Sequence, residues 1–205
     1  MRKTGVRSSP HDIIVIGGSA GGIEAIQSLA RGLPADLDAA VLIVIHTSPV
    51  GDYLLPEILT RVSKLPAARI AGKTLIERGK LYAAPPDRHL LVKGRHLVLS
   101  NGPKEQRARP SIDRLFRSAA ESCGPRVVGV ILTGMLHDGT AGLHRVKELG
   151  GIAVVQDPLD AAHGMMPASA LSGVVVDYVR PLSEIAPLLV RLVSGSRATA
   201  GVPAR

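Results

Sequence analysis

The chain has 205 residues, 45% of them hydrophobic but only 2% aromatic and none tryptophan, so one domain with an aliphatic core is expected, and α/β layers are favoured. Its one cysteine, Cys123, excludes an internal disulfide and a cysteine-based metal site, and reads as a buried small hydrophobe. No apolar run reaches the ~20 residues that span a bilayer and the first ten residues hold no signal core, which implies a cytoplasmic protein, while the net charge of +8 suits an acidic partner surface.

Residues 1–11 lack periodicity and read as a flexible tail, as do 194–205. The β-branched run over 12–17 predicts a first strand, and Ile23, Ile26, Ala30 and Leu33 recur at helical spacing within a helix near 20–32. Further strands are expected at 40–45, 80–84, 126–133, 152–156 and 174–179, alternating with helices near 52–63, 111–122, 139–149, 167–172 and 183–193. Such alternation implies a doubly wound, mainly parallel sheet, a Rossmann-like three-layer sandwich, occupying 12–193 as one domain. The stretch His89–Leu99 reads as a small antiparallel hairpin inserted on that sheet, turning at Lys93-Gly94.

Ser19 falls on the first strand-to-helix turn, inside Ile16-Gly17-Gly18-Ser19-Ala20-Gly21-Gly22. Gly17 to Gly21 fit the G-x-S-x-G nucleophile elbow, although so short a pattern is weak alone. The dinucleotide fingerprint fails, because its middle glycine is Ser19 and the second strand ends in His46 rather than an acid. In open α/β sheets ligands bind beyond the carboxyl ends of the strands, where Ser19, His46 and Asp138 all fall. A serine needs an imidazole to take its proton and a carboxylate to orient that imidazole, so the three make a candidate nucleophile, base and orienting acid. Each also has a plain structural reading: Ser19 and Asp138 as helix caps, His46 as a strand-end histidine bonded to backbone. Backbone N–H groups near Ala20 and Gly21, or near Met135, are the candidate oxyanion donors. The remaining histidines offer less: His89 and His96 at hairpin ends, His137 and His144 on one helical face, His11 and His163 isolated. No pair has zinc spacing, so no histidine-based metal site is expected, and acyl transfer by such a triad, which supplies both proton shuttles, needs neither metal nor cofactor.

Six segments in order carry a resemblance: Ile16 to Gly22, the strand ending in His46, Tyr82 to His89, Arg109 to Phe116, Gly129 to Met135, and Met166-Pro167. Together they are similar to the catalytic domain of the chemotaxis receptor methylesterases (CheB-type), from about Asp12 to Leu192. The resemblance implies a Ser19-His46-Asp138 triad that hydrolyses glutamate γ-methyl esters on chemoreceptor helices, and in many members also deamidates receptor glutamine. It implies an acidic, methylated receptor segment as partner. Nucleic acid is disfavoured, since basic residues are scattered and stacking aromatics nearly absent. Against the family pattern, Ala20 lacks a hydroxyl, Leu136 replaces a glycine, and Met165 replaces the glycine of Gly-Met-Pro. Many relatives carry an N-terminal receiver domain, and here the first strand begins about ten residues in, so none is expected; a monomer is the default. Two alternatives stand beside the esterase: a non-catalytic module holding a phosphate or nucleotide in its glycine-rich turn, and a receptor-binding scaffold spoiled by Leu136 and Met165.

Overall fold

The computed structural model of the chain describes residues 11–48 and 50–195. In chain order its strands are β1 (Ile13–Gly18), β2 (Ala40–Ile45), β3 (Ala67–Ala68), β4 (Thr74–Leu75), β5 (Leu81–Ala83), β6 (His89–Lys93), β7 (His96–Ser100), β8 (Val127–Ile131), β9 (Ile152–Gln156) and β10 (Tyr178–Arg180). The helices are α1 (Gly22–Arg31), α2 (Leu55–Val62), α3 (Ile112–Cys123), α4 (Thr140–Glu148), α5 (Met165–Gly173) and α6 (Leu182–Ser194), with a 3-10 turn at Gly124–Arg126.

Seven strands form one sheet in the order β10-β9-β8-β1-β2-β5-β3, every pairing parallel. Strands β1 and β2 are buried throughout, and successive side chains of a strand point to opposite faces. Ile13 and Val15 therefore pack with Leu115 and Phe116 of α3, Leu143 of α4 and Ala170 of α5, whereas Ile14 and Ile16 pack with Ile26 and Leu29 of α1, Leu59 of α2 and Leu189 of α6. A sheet covered on both faces is the doubly wound arrangement that the alternating pattern implies. From β1 the chain moves to β2 on one side and only later to β8 on the other, so the carboxyl ends of β1, β2 and β8 form the topological switch point.

Several boundaries shift. The strand expected over 174–179 shrinks to β10, because Val174 still closes α5 in an extended cap and Val175 projects into solvent. Met165 begins α5 two residues ahead of Pro167, which is tolerated in the first turn where its missing N–H is not needed. Lys93 pairs with His96, so the hairpin turns at Gly94-Arg95 rather than Lys93-Gly94. That hairpin forms its own three-stranded sheet, β4-β7-β6, with the two-residue β4 as an unforeseen third member. Strands as short as β3 and β4 hold too few residues for an alternating pattern to register. His137 precedes α4 and shares no helical face with His144. Most of both expected tails lies outside the described residues, but His11 bonds Pro125 through its ring Nδ1 (3.0 Å) and Ser194 ends α6. Cys123 is buried, and no helix among the described residues is long and apolar enough to cross a membrane.

Candidate active site

Register brings the first two residues together. Gly18 lies opposite Ile45, and the next residues along these parallel strands are Ser19 and His46. Neighbouring strands run ≈ 4.8 Å apart, and the His46 N–H donates to the Gly18 carbonyl (3.1 Å), holding the two strand ends side by side. Just beyond β8, the Thr133 carbonyl accepts the Ser19 N–H (3.0 Å) and the Thr133 hydroxyl donates to the Ala20 carbonyl (3.0 Å). The turn is thereby pinned from both sides.

Asp138 arrives from the loop between β8 and α4. Its Oδ2 accepts from His46 Nε2 at 2.8 Å and from the Ile112 N–H at 2.8 Å, while its Oδ1 accepts from the Ser111 hydroxyl and the Asp113 N–H, both at 3.0 Å. Only 3% of the Asp138 surface is exposed. Burial pushes its acidity toward a higher pKa, but the His46 bond and the Asp113 and Ile112 amides outweigh burial and hold the carboxyl below its ordinary value. A carboxylate only accepts, so Nε2 of His46 carries the proton and Nδ1 is left as the basic nitrogen.

The second carboxylate here, Asp113, performs the reciprocal task. Its Oδ1 accepts from the Gly139 and Gly142 N–H groups (3.0 and 2.6 Å), so each acid satisfies the start of the other's helix. Burial, then the nearby Asp138 charge, raises Asp113 to about 6 against the pull of the Gly142 amide. Ser111 caps α3 by accepting from the Arg114 N–H (3.4 Å). Its own N–H donates to His89 Nδ1 (3.2 Å), and His89 Nε2 donates to the Pro103 carbonyl (2.9 Å). Burial lowers the His89 pKa, so the ring stays neutral with this tautomer.

Ser19, His46, Asp138, Met135 and Leu136 line one open cavity of ≈ 610 Å³, with Lys104, Arg107 and Arg109 on its rim. Ala20 and Gly21 continue the turn behind Ser19, outside that lining. The capping readings are corrected. The N-cap of α1 is Gly21, at φ 73°, and no side chain caps it; Ser19 instead offers its carbonyl to Gly22 N–H (2.8 Å). Asp138 caps α3, not the helix that follows it, whose N-cap is Gly139. His46 bonds a carboxylate rather than backbone through its ring. Two N–H groups of the glycine-rich turn, those of Ser19 and Gly22, are already spent on carbonyls, which leaves a poor anion cradle. Among the described residues no three His, Cys, Asp or Glu side chains are grouped to hold a metal. Sequence alone assigns Ser111 and Asp113 no role of their own and His89 only that of a hairpin end, although Ser111 before a helical pattern is an N-cap signal.

The family model for CheB methylesterase matches residues 14–189. A Leptospira interrogans protein, provisionally named a protein-glutamate methylesterase/protein-glutamine glutaminase, is 42% identical over 89% of this chain and 95% of its own length. Protein-glutamate methylesterase/protein-glutamine glutaminase 2 of Methanosarcina mazei is 35% identical over 91% of this chain, which spans only 53% of that relative. The crystal structure of the Thermotoga maritima CheB methylesterase catalytic domain superposes with a TM-score of 0.84 at 31% identity, covering 89% of this chain and 99% of that one. Matched over most of its length in sequence and in fold, the chain belongs to the CheB methylesterase family.

Proposed function

We propose that this protein is a serine carboxylic-ester hydrolase acting on glutamate γ-methyl esters, with Ser19 as nucleophile, His46 as base and Asp138 as orienting acid. The observation that carries the reading is the 2.8 Å His46–Asp138 bond beside Ser19 in one cavity. His46 Nδ1 takes the Ser19 hydroxyl proton as Oγ bonds to the ester carbonyl carbon; the tetrahedral intermediate then expels methoxide, which leaves as methanol with that proton. Water next attacks the acyl-enzyme, passes a proton to Nδ1, and the free glutamate departs as Ser19 recovers its hydrogen. The N–H of Met135, which lines the cavity, or of Ala20 or Gly21 steadies the oxyanion; such a donor contributes about 3–4 kcal/mol. The same attack on a glutamine carboxamide releases ammonia and accounts for deamidation.

The partners under this reading are methylated cytoplasmic segments of chemoreceptors, whose acidic side chains the net charge of +8 suits. The protein then works in the cytoplasm as a monomer. The test is methanol release from methylated receptor membranes. We expect Ser19→Ala to lower it by at least ~10³-fold and His46→Gln comparably; equal release by Ser19→Ala and the unmodified protein would sink the assignment.

A further inference from the structure

Among the described residues, four non-glycine residues carry left-handed backbone: Asp87 (φ 54°), Gln106 (φ 50°), Arg107 (φ 62°) and Leu136 (φ 64°). Three of them, Gln106, Arg107 and Leu136, line the cavity that holds Ser19 and His46. The fourth, Asp87, grips the lining residue Arg109 through two bonds of 2.9 Å. Left-handed backbone is unfavourable for any residue with a Cβ, persists only where the surroundings enforce it, and concentrates at ligand clamps.

At Gln106-Arg107 the enforcement is explicit. Glu105 and Ala108 exchange backbone hydrogen bonds (3.1 and 2.8 Å) across these two residues, closing a hairpin turn of the type that needs positive φ at both centres. Ahead of the turn, the Glu105 carboxylate is held by Arg114 (3.1 Å) and Arg117 (2.6 Å) of α3. Behind it, Arg109 also donates to the carbonyls of Asn101 and Gly102 (3.1 Å each). Both ends are staked, yet Arg107 is exposed and forms no ion pair among the described residues. The planar guanidinium fork is pre-organised for two-point pairing with a carboxylate, and the staked turn fixes where its backbone sits.

We propose that Arg107 determines substrate choice by pairing with a free carboxylate on the same polypeptide as the scissile ester, three or four residues from it along a helix. Residues so spaced lie ≈ 5–6 Å apart on one helix face, and Ser19 and Arg107 line the same ≈ 610 Å³ cavity. This rests on the esterase reading above. The experiment uses two synthetic helical peptides, each with a single glutamate γ-methyl ester, differing only by Glu or Gln four residues away. The unmodified protein is expected to favour the Glu peptide by about fivefold in kcat/KM, through KM. Arg107→Ala and Arg107→Gly, the second of which also relieves the backbone, should bring that ratio to about one, and Arg107→Glu should invert it. Arg95→Ala removes an equal charge at the hairpin tip and should keep the ratio. A ratio that survives Arg107→Ala, that is near one at the outset, or that falls equally in Arg95→Ala overturns the proposal. Hydrolysis of neither peptide overturns the esterase reading and this one with it, whereas hydrolysis without preference overturns this one alone.

Discussion

Replacing Asp138 removes two things at once, because its oxygens serve both His46 and the start of α3. Asp138→Asn turns one acceptor into a donor facing N–H groups, so we expect a loss of roughly 2–4 kcal/mol in urea unfolding together with a fall in kcat of about 10³–10⁴-fold. Turnover within tenfold of the unmodified protein would contradict the role assigned to the acid. Leu136 presents the opposite balance. Its side chain is 58% exposed and its backbone is left-handed at φ 64°, while its N–H contacts Met165 Sδ (3.3 Å). Leu136→Gly should therefore stabilise the fold by about 1 kcal/mol, read as a higher urea midpoint at unchanged slope. Leu136 and Met165, two of the three departures from the family pattern, touch one another, and neither interrupts the His46–Asp138 bond.

At the scale of elements, the site depends on how closely α3 and α4 approach. A Cβ added at Gly142 would meet Phe116 Cβ at 2.6 Å and Asp113 Cα at 2.9 Å. Gly142→Ala should force these helices apart, costing about 1–3 kcal/mol and lowering turnover through Asp138, as unfolding and kinetics on one preparation would show. Asp113 adds a pH dependence. Its folded pKa of about 6 lies above the ordinary 3.8, so its contribution to stability is complete below pH ~4 and is lost as pH rises to about 6. Asp113→Asn, which keeps an acceptor for Gly139 and Gly142, should gain on the unmodified protein across that interval; parallel stability curves from pH 4 to 7 would refute this. The helices and inner strands were legible because aliphatic residues repeat at helical spacing or run unbroken through buried parallel strands. Ser19, His46 and Asp138 were legible because they close strands or follow them. The exchange of caps between Asp113 and Asp138 was not, since it joins residues twenty-five positions apart through packing that no local period encodes. His89 likewise reads as a hairpin end until Ser111 is seen on its ring.

For the molecule as a whole, a net charge of +8 acts beyond any single contact. Hydrolysis of a glutamate-rich protein ester should slow several-fold in kcat/KM between ~50 and ~300 mM salt, while that of a small neutral ester holds steady; equal salt responses would argue against charge-guided encounter. The core itself is aliphatic apart from residues such as Tyr82 and the one phenylalanine, Phe116, which is wholly buried where α3 meets α4. Phe116→Ala should cost about 3–5 kcal/mol, with its effect reaching Asp138 through the same helices. The crossed carboxylates have a practical corollary. Because the acid that aims the imidazole also anchors a helix, this protein has no easy route to a well-folded but misaligned state: heat inactivation and loss of ellipticity should trace one curve, making catalytic output a built-in gauge of structural integrity.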